Sequence, residues 1–136
     1  MVTQLVSYLN FNGNCREAMT FYQKCLGGEL FMQKISESPM AAQMPSEAGA
    51  SILHSSLTKE SIILMGSDMM GQGLVKGNHV TLCMNCSSDE EITTYFSKLS
   101  QGGQIKMPLH QSFWGATYGE LTDKYGMNWM FNFSKN

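Results

Sequence analysis

FNGNCREAMTFYQKCLGGEL, residues 11–30, decides the fold, because a later stretch of the chain repeats its plan. In residues 85–105, NCSSDEEITTYFSKLSQGGQI, a polar turn again runs into a short amphipathic helix and a Gly-Gly stop. Adding 74 to Asn14, Glu17, Ala18, Phe21, Tyr22, Lys24 and Gly28 gives Ser88, Glu91, Ile92, Tyr95, Phe96, Lys98 and Gly102. Each pair agrees in kind, with no gap. The chain therefore reads as two copies of one strand-helix-strands unit, and a functional site is expected where the copies meet.

The surrounding chain is consistent with that plan. At 136 residues and 43% hydrophobic, it is long and apolar enough for one domain, or for two half-domains sharing a core. Nine Lys and Arg, unclustered in a chain of net charge -2, leave no footprint for nucleic acid or an anionic membrane. The apolar runs are too short to cross a bilayer. The opening MVTQLVSYLN lacks the basic-then-apolar order of a signal peptide. Cys15 and Cys25 fall ten residues apart on a helix, too far along its axis to bridge. Cys83 and Cys86 form a C-x-x-C, but on a strand such residues point to opposite faces, so a shared metal is not expected. Free thiols without an export signal place the protein in the cytoplasm. Twelve methionines suit irregular gaps or an adaptable pocket.

Taken in order, QLVSYLNF (4–11) predicts a strand. Asn14 and Glu17 predict a capping box for a helix that buries Ala18, Phe21, Tyr22, Cys25 and Leu26. Gly27 and Gly28 end it, and GELFMQKI follows as a strand. Residues 36–50, with two prolines, predict a long loop that could act as a lid. SILHSSL and SIILMGSD read as strands around a turn at Thr58–Glu60. The glycine-rich DMMGQGLVKGN (68–78) links the halves; no helix start follows its GxG, so it is no phosphate cradle. HVTLCMN is a strand, and Ser88 with Glu91 caps a helix burying Ile92, Tyr95, Phe96 and Leu99. QIKMPLH, WGATYGELTD and MNWMFNF supply three more strands, with the turn DKYG between the last two. The expected class is α+β, each unit running β-α-β-β-β.

YLNFNGNCREAMTFY (8–22), LGGEL (26–30), HSSL (54–57), ILMGSD (63–68), MPL (107–109) and FWGATYGELTDKYGMNW (113–129) resemble the PhnB-like family. That family belongs to the glyoxalase/bleomycin-resistance/extradiol dioxygenase (vicinal oxygen chelate) superfamily and is sometimes labelled with a 3-demethylubiquinone 3-methyltransferase domain name. The resemblance implies one domain over residues 1–136, with repeat units of about 1–68 and 78–136 and mixed sheets curled into a cup with helices outside. It also implies a small-molecule ligand and a homodimer. Where such folds hold a metal, its ligands come from the first and last strands of each unit. Those positions fall here near Ser7, near Leu64, near Thr81 and at Met130, with Ser7 and Thr81 again 74 apart. These side chains are poor ligands, since a catalytic divalent site needs about three imidazoles or carboxylates. No cofactor is therefore expected, a divalent metal being the alternative. The chain also lacks the glycine-rich strand-loop-helix that takes S-adenosylmethionine.

Few residues remain to carry chemistry. His54, in a strand, is the candidate general base, or else a hydrogen-bonded strand histidine. Glu120 shares a strand face with Tyr118 and is either exposed or paired there. His79 shares parity with Thr81, and His110 is expected in an exposed loop. Trp114, at a loop-strand junction, could wall a pocket. In the last strand Trp129, Phe131 and Phe133 should pack beneath a helix, with Asn128, Met130 and Asn132 opposite. Asp123 and Gly126 read as turn formers. Two readings stay open. One is a metal-free binding cup lined by Ser7, His54, Thr81, Trp114, Tyr118 and Met130. The other is a metal-dependent lyase, isomerase or dioxygenase using His54 and Glu120, with His79 as a further ligand.

Overall fold

A computed structural model describes residues 2–43, 49–69 and 73–135. The chain divides into two compact units, Met1–Val75 and Lys76–Asn136. The first contains strand β1 (Ser7–Phe11), helix α1 (Cys15–Leu26) and strands β2 (Glu29–Lys34), β3 (Ile52–Lys59) and β4 (Ile62–Asp68). The second contains β5 (Leu82–Asn85), α2 (Asp89–Leu99), β6 (Gln104–Gln111), β7 (Ala116–Thr122) and β8 (Asn128–Ser134). Both are β-α-β-β-β, as expected.

Each unit forms a mixed four-stranded sheet, ordered β1-β4-β3-β2 in the first and β5-β8-β7-β6 in the second. The first strand runs parallel to the last, while the other pairings are antiparallel. That pattern follows from the connections. Hairpins make antiparallel neighbours, whereas a strand-helix-strand passage lets β1 return beside β4. One face of each sheet packs on its helix. Tyr22, Met19 and Leu26 of α1 are buried, as are Ile92, Tyr95, Phe96 and Leu99 of α2. Each such side chain contributes about 1.5–3 kcal/mol through the water it leaves behind. Phe21 is only half-buried, and Met19 takes a core position instead.

The start of α1 differs from its sequence reading. Asn14 holds the cap position, but its side chain makes no capping hydrogen bond. Asp68, at the end of β4, does the work: its Oδ1 accepts from the Gly13 and Cys15 backbone N–H groups at 2.9 Å each. Its Oδ2 accepts from the Ile52 N–H, also at 2.9 Å. One buried carboxylate thus ties the helix start to the entry of β3. The start of α2 is local, as expected: Ser88 Oγ accepts from the Glu91 N–H at 3.0 Å, and Glu91 Oε1 accepts from the Ser87 N–H at 2.9 Å.

Gly27 ends α1 with φ 80°. At Gly28, φ is 96° and a Cβ would lie 2.6 Å from the Thr58 carbonyl oxygen, so no side chain fits where the helix hands over to β2.

The 74-residue register holds through the helices and fails in the first strands. In β1 the buried residues are Leu9 and Phe11, but the positions 74 further on, Cys83 and Asn85, are exposed and Met84 between them is buried. Three residues separate strand from helix in both units, but the equivalent pairings, Leu9 with Gly66 and Met84 with Phe131, set the strands 75 residues apart rather than 74, and a one-residue slip sends every side chain of a strand to the other face. Ser7 and Thr81 are consequently not equivalent.

Other boundaries shift as well. Residues 4–6 lie outside β1, and His79, Val80 and Thr81 lie outside β5. β3 runs on to Lys59, so the hairpin turns at Glu60 (φ 52°). The loop expected over 36–50 begins with short 3-10 turns at Ile35–Glu37 and Pro39–Gln43. Its base is closed by bonds from the Ile35 N–H to the Ser51 carbonyl and from the Ser36 N–H to the Gly49 carbonyl. The rest of the expected lid, 44–48, and part of the linker, 70–72, lie outside the described residues.

Candidate functional site

In the second unit, Trp129 and Phe131 of β8 turn toward α2, where Phe131 meets Phe96 edge-on at 5.3 Å. Strand alternation then sends Met130 to the opposite, open face. On the neighbouring β7, Gly119 sits against Phe96 and Leu109, so Tyr118 and Glu120 share the open face with Met130. These three residues form the floor of a hollow of about 570 Å³. Met107 and His110 of β6 form one side. Gln111, Ser112, Phe113 and Trp114, leading into β7, form the rim.

Tyr118 donates its hydroxyl proton to Glu120 Oε2 at 2.8 Å. Burial, then the hydrogen bond to Glu120 and that carboxylate's charge, push the Tyr118 phenol up to about 12. At neutral pH the pair therefore holds a neutral phenol. Among the described residues, Glu120 accepts this one hydrogen bond. Trp114 meets Tyr118 near-perpendicularly at 5.4 Å, and Phe113 meets Trp114 at 4.9 Å and 89°. Phe113 is 98% exposed and Trp114 53%, an uncommon amount of aromatic surface left to solvent beside a concavity. His110 approaches Tyr118 edge-on, and its Nδ1 lies 2.9 Å from the Pro108 carbonyl oxygen. A carbonyl only accepts, so Nδ1 carries the proton and Nε2 is left as the free ring nitrogen.

The sequence reading put Trp114, Tyr118 and Met130 in one cup with Ser7, His54 and Thr81 and set Glu120 on the face of Tyr118; the hollow holds Trp114, Tyr118, Glu120 and Met130 but none of the other three. That reading missed Met107 and Phe113 and placed His110 in a loop. His110 belongs to β6, an edge strand that tolerates Pro108 through irregular pairing, and lies directly opposite Tyr118. The strand expected over 104–110 already runs through Pro108; its register against the next strand is what pairs His110 with Tyr118.

The remaining candidates lie elsewhere. His54 is in the first unit, on the sheet face away from α1. There its Nδ1 lies 3.2 Å from the Tyr8 hydroxyl and the rings stack at 5.8 Å. Ser7 shares the parity of the buried Leu9 and Phe11 and so lies on the helix side of β1. Thr81 and His79 are exposed and precede β5. Asp123 is more than a turn former. It is buried, its Oδ1 accepts from the Tyr125 and Met127 N–H groups, and its Oδ2 accepts from Trp129 Nε1 at 2.8 Å.

The metal of the fold's better-known relatives finds no ready seat among the described residues. Among the described residues no three His, Cys, Asp or Glu side chains come together as metal ligands. Ser7, Leu64, Thr81 and Met130 do not repair that donor set. The four cysteines are free; burial pushes the Cys15 thiol up to about 11 and the Cys86 thiol up to about 12. No described helix is long and apolar enough to cross a membrane.

Comparison with known proteins places these features in a family. A model described as 3-demethylubiquinone-9 3-methyltransferase matches residues 3–131. Protein YjdN of Escherichia coli is 35% identical, the match covering 96% of this chain and 95% of that one. Protein PA1353 of Pseudomonas aeruginosa superposes with TM-score 0.88 at 36% identity, over 99% of this chain and 100% of that one. The PhnB protein of Bacillus cereus gives TM-score 0.77 at 26% identity, over 97% and 100%. At 12% identity the fold alone is shared with FosX, a fosfomycin resistance protein of Listeria monocytogenes solved with Mn(II) and a dihydroxypropylphosphonic acid (TM-score 0.63, 99% and 95% covered).

Proposed function

The chain belongs to the PhnB-like 3-demethylubiquinone-9 3-methyltransferase family of the glyoxalase/bleomycin-resistance superfamily, and from that premise we propose that it binds a small organic molecule in the hollow of its second unit. The observation that carries this reading is the aromatic rim of Phe113 and Trp114 over a Tyr118–Glu120 pair, with thioethers from Met107 and Met130 completing the walls. An apolar concavity with a few convergent polar groups is the usual form of a ligand site. Tyr118 and Glu120 would orient the ligand, and Trp114 would stack on it. In this reading the protein is a cytoplasmic homodimer whose units form one domain.

A thermal-shift screen of small molecules against wild type and Trp114→Ala tests the proposal. Ligands should raise the melting temperature of wild type and leave that of Trp114→Ala unmoved. A ligand whose effect survives in Trp114→Ala but disappears in His54→Ala would contradict it. The other reading, a metal-dependent enzyme using His54 and Glu120, would be revived by about one divalent ion per chain in elemental analysis of the purified protein. Sedimentation giving a monomer would remove the dimer.

A further inference from the structure

We infer that the hollow selects an organic cation, a substituted ammonium or amidinium attached to an apolar or flat body. The inference rests on the reading of the hollow as a ligand site and concerns the charge of what enters it.

Three features of the hollow point the same way. The first is its charge. Glu120 is the carboxylate on the floor, and no lysine or arginine is among the lining residues. An anionic ligand would meet a carboxylate without a lysine or arginine to offset it, whereas a cation would pair with that carboxylate. The second is occupancy of the carboxylate. Tyr118 takes Oε2, and among the described residues no hydrogen bond reaches Oε1. The phenol is not a competing anion, because burial and Glu120 keep it neutral.

The third is the disposition of the rings. Phe113, Trp114 and Tyr118 stand nearly perpendicular to one another in succession, at 89° and 72°. In each such contact one ring's edge meets the other's face, and all three rings line the hollow. Aromatic faces carry the negative part of the ring quadrupole and attract cations, tryptophan most strongly. The same rings would accept a neutral aromatic ligand, so the carboxylate is what turns an aromatic pocket into a cation-selective one.

The experiment compares three probes of matched shape on the full chain: benzyltrimethylammonium, its neutral isostere neopentylbenzene, and benzylphosphonate. Binding is read by calorimetry and located by shifts of the Trp114 indole resonance. The cation should bind about tenfold or more tighter than the isostere, the size expected for a carboxylate and a cation–π contact together. Glu120→Gln should remove that preference, so that cation and isostere bind the variant equally. Trp114→Ala should weaken both. Equal binding of cation and isostere, or preference for benzylphosphonate, overturns the charge selection and leaves the hollow a binding site. Failure of all three probes to move the Trp114 resonance overturns both readings.

Discussion

The two units lay the same sheet on the same helix and then use it differently. Pairing registers align β3 with β7 and β4 with β8, so that His54 corresponds to Tyr118, Ser56 to Glu120, Met65 to Met130 and Gln33 to His110. On the open face of the first sheet, His54 is occupied by Tyr8. On the second, Tyr118 and Glu120 hold each other at the base of a hollow. The helix-facing layer differs in the opposite sense. The first unit has Gly66 where the second has Phe131, and Phe11 and Met19 fill the space. The backbone plan is thus held by packing, while the open-face side chains are free to diverge into one site.

Capping is where the units should differ most in stability. Asp68→Ala would leave three backbone N–H groups of the first unit without partners. At about 1–3 kcal/mol for each buried donor, denaturant unfolding should show a loss of about 3–5 kcal/mol. A loss below about 1 kcal/mol would mean that water replaces the carboxylate and that the long-range tie is incidental.

The open-face comparison is sharpened by titrating Tyr118, followed as the difference between wild type and Tyr118→Phe. Its ionisation should centre near pH 12, against about 10 for an unperturbed tyrosine. A folded-state value above the unfolded one means that this contribution to stability is complete below pH 10 and is lost as the pH rises through 12. Glu120→Gln should lower the value but leave it above 10, because burial is the larger cause. A phenol titrating at 10 in wild type would break the pairing on which the hollow's chemistry rests.

The smallest of these effects is the local cap of the second unit. Ser88→Ala removes one side-chain acceptor from an exposed helix start and should cost about 1 kcal/mol. If it costs as much as Asp68→Ala, the contrast between distant and local capping disappears.

Much of the fold was legible because it rests on local periodicity. The faces of both helices, their glycine stops and the alternation of Trp129, Met130 and Phe131 can be read from spacing alone. What escaped depended on distance or on counting one residue. Asp68 lies 53 residues from the N–H of Cys15 that it caps, and Asn14 and Glu17 look like a sufficient cap without it. The flip between β1 and β5 is a slip of one residue in strand register, 75 against the 74 of the helices, too small to disturb the matching of the helices. His110 ends the strand expected over 104–110, and its place opposite Tyr118 depended on the register between β6 and β7. Trp114, Tyr118 and Met130 were legible as one group, but separating them from Ser7, His54 and Thr81 and adding Met107 and His110 needed the register of β7 against β6 and β8.

The most direct test of the difference between the units is the methyl spectrum of the protein labelled at its methionines, titrated with the cationic, neutral and anionic benzyl probes together. The Met107 and Met130 methyl resonances should move to saturation while that of Met65, the counterpart of Met130, stays in place. Movement of Met65 with Met107 and Met130 unmoved would contradict the account and place ligand binding on the first sheet.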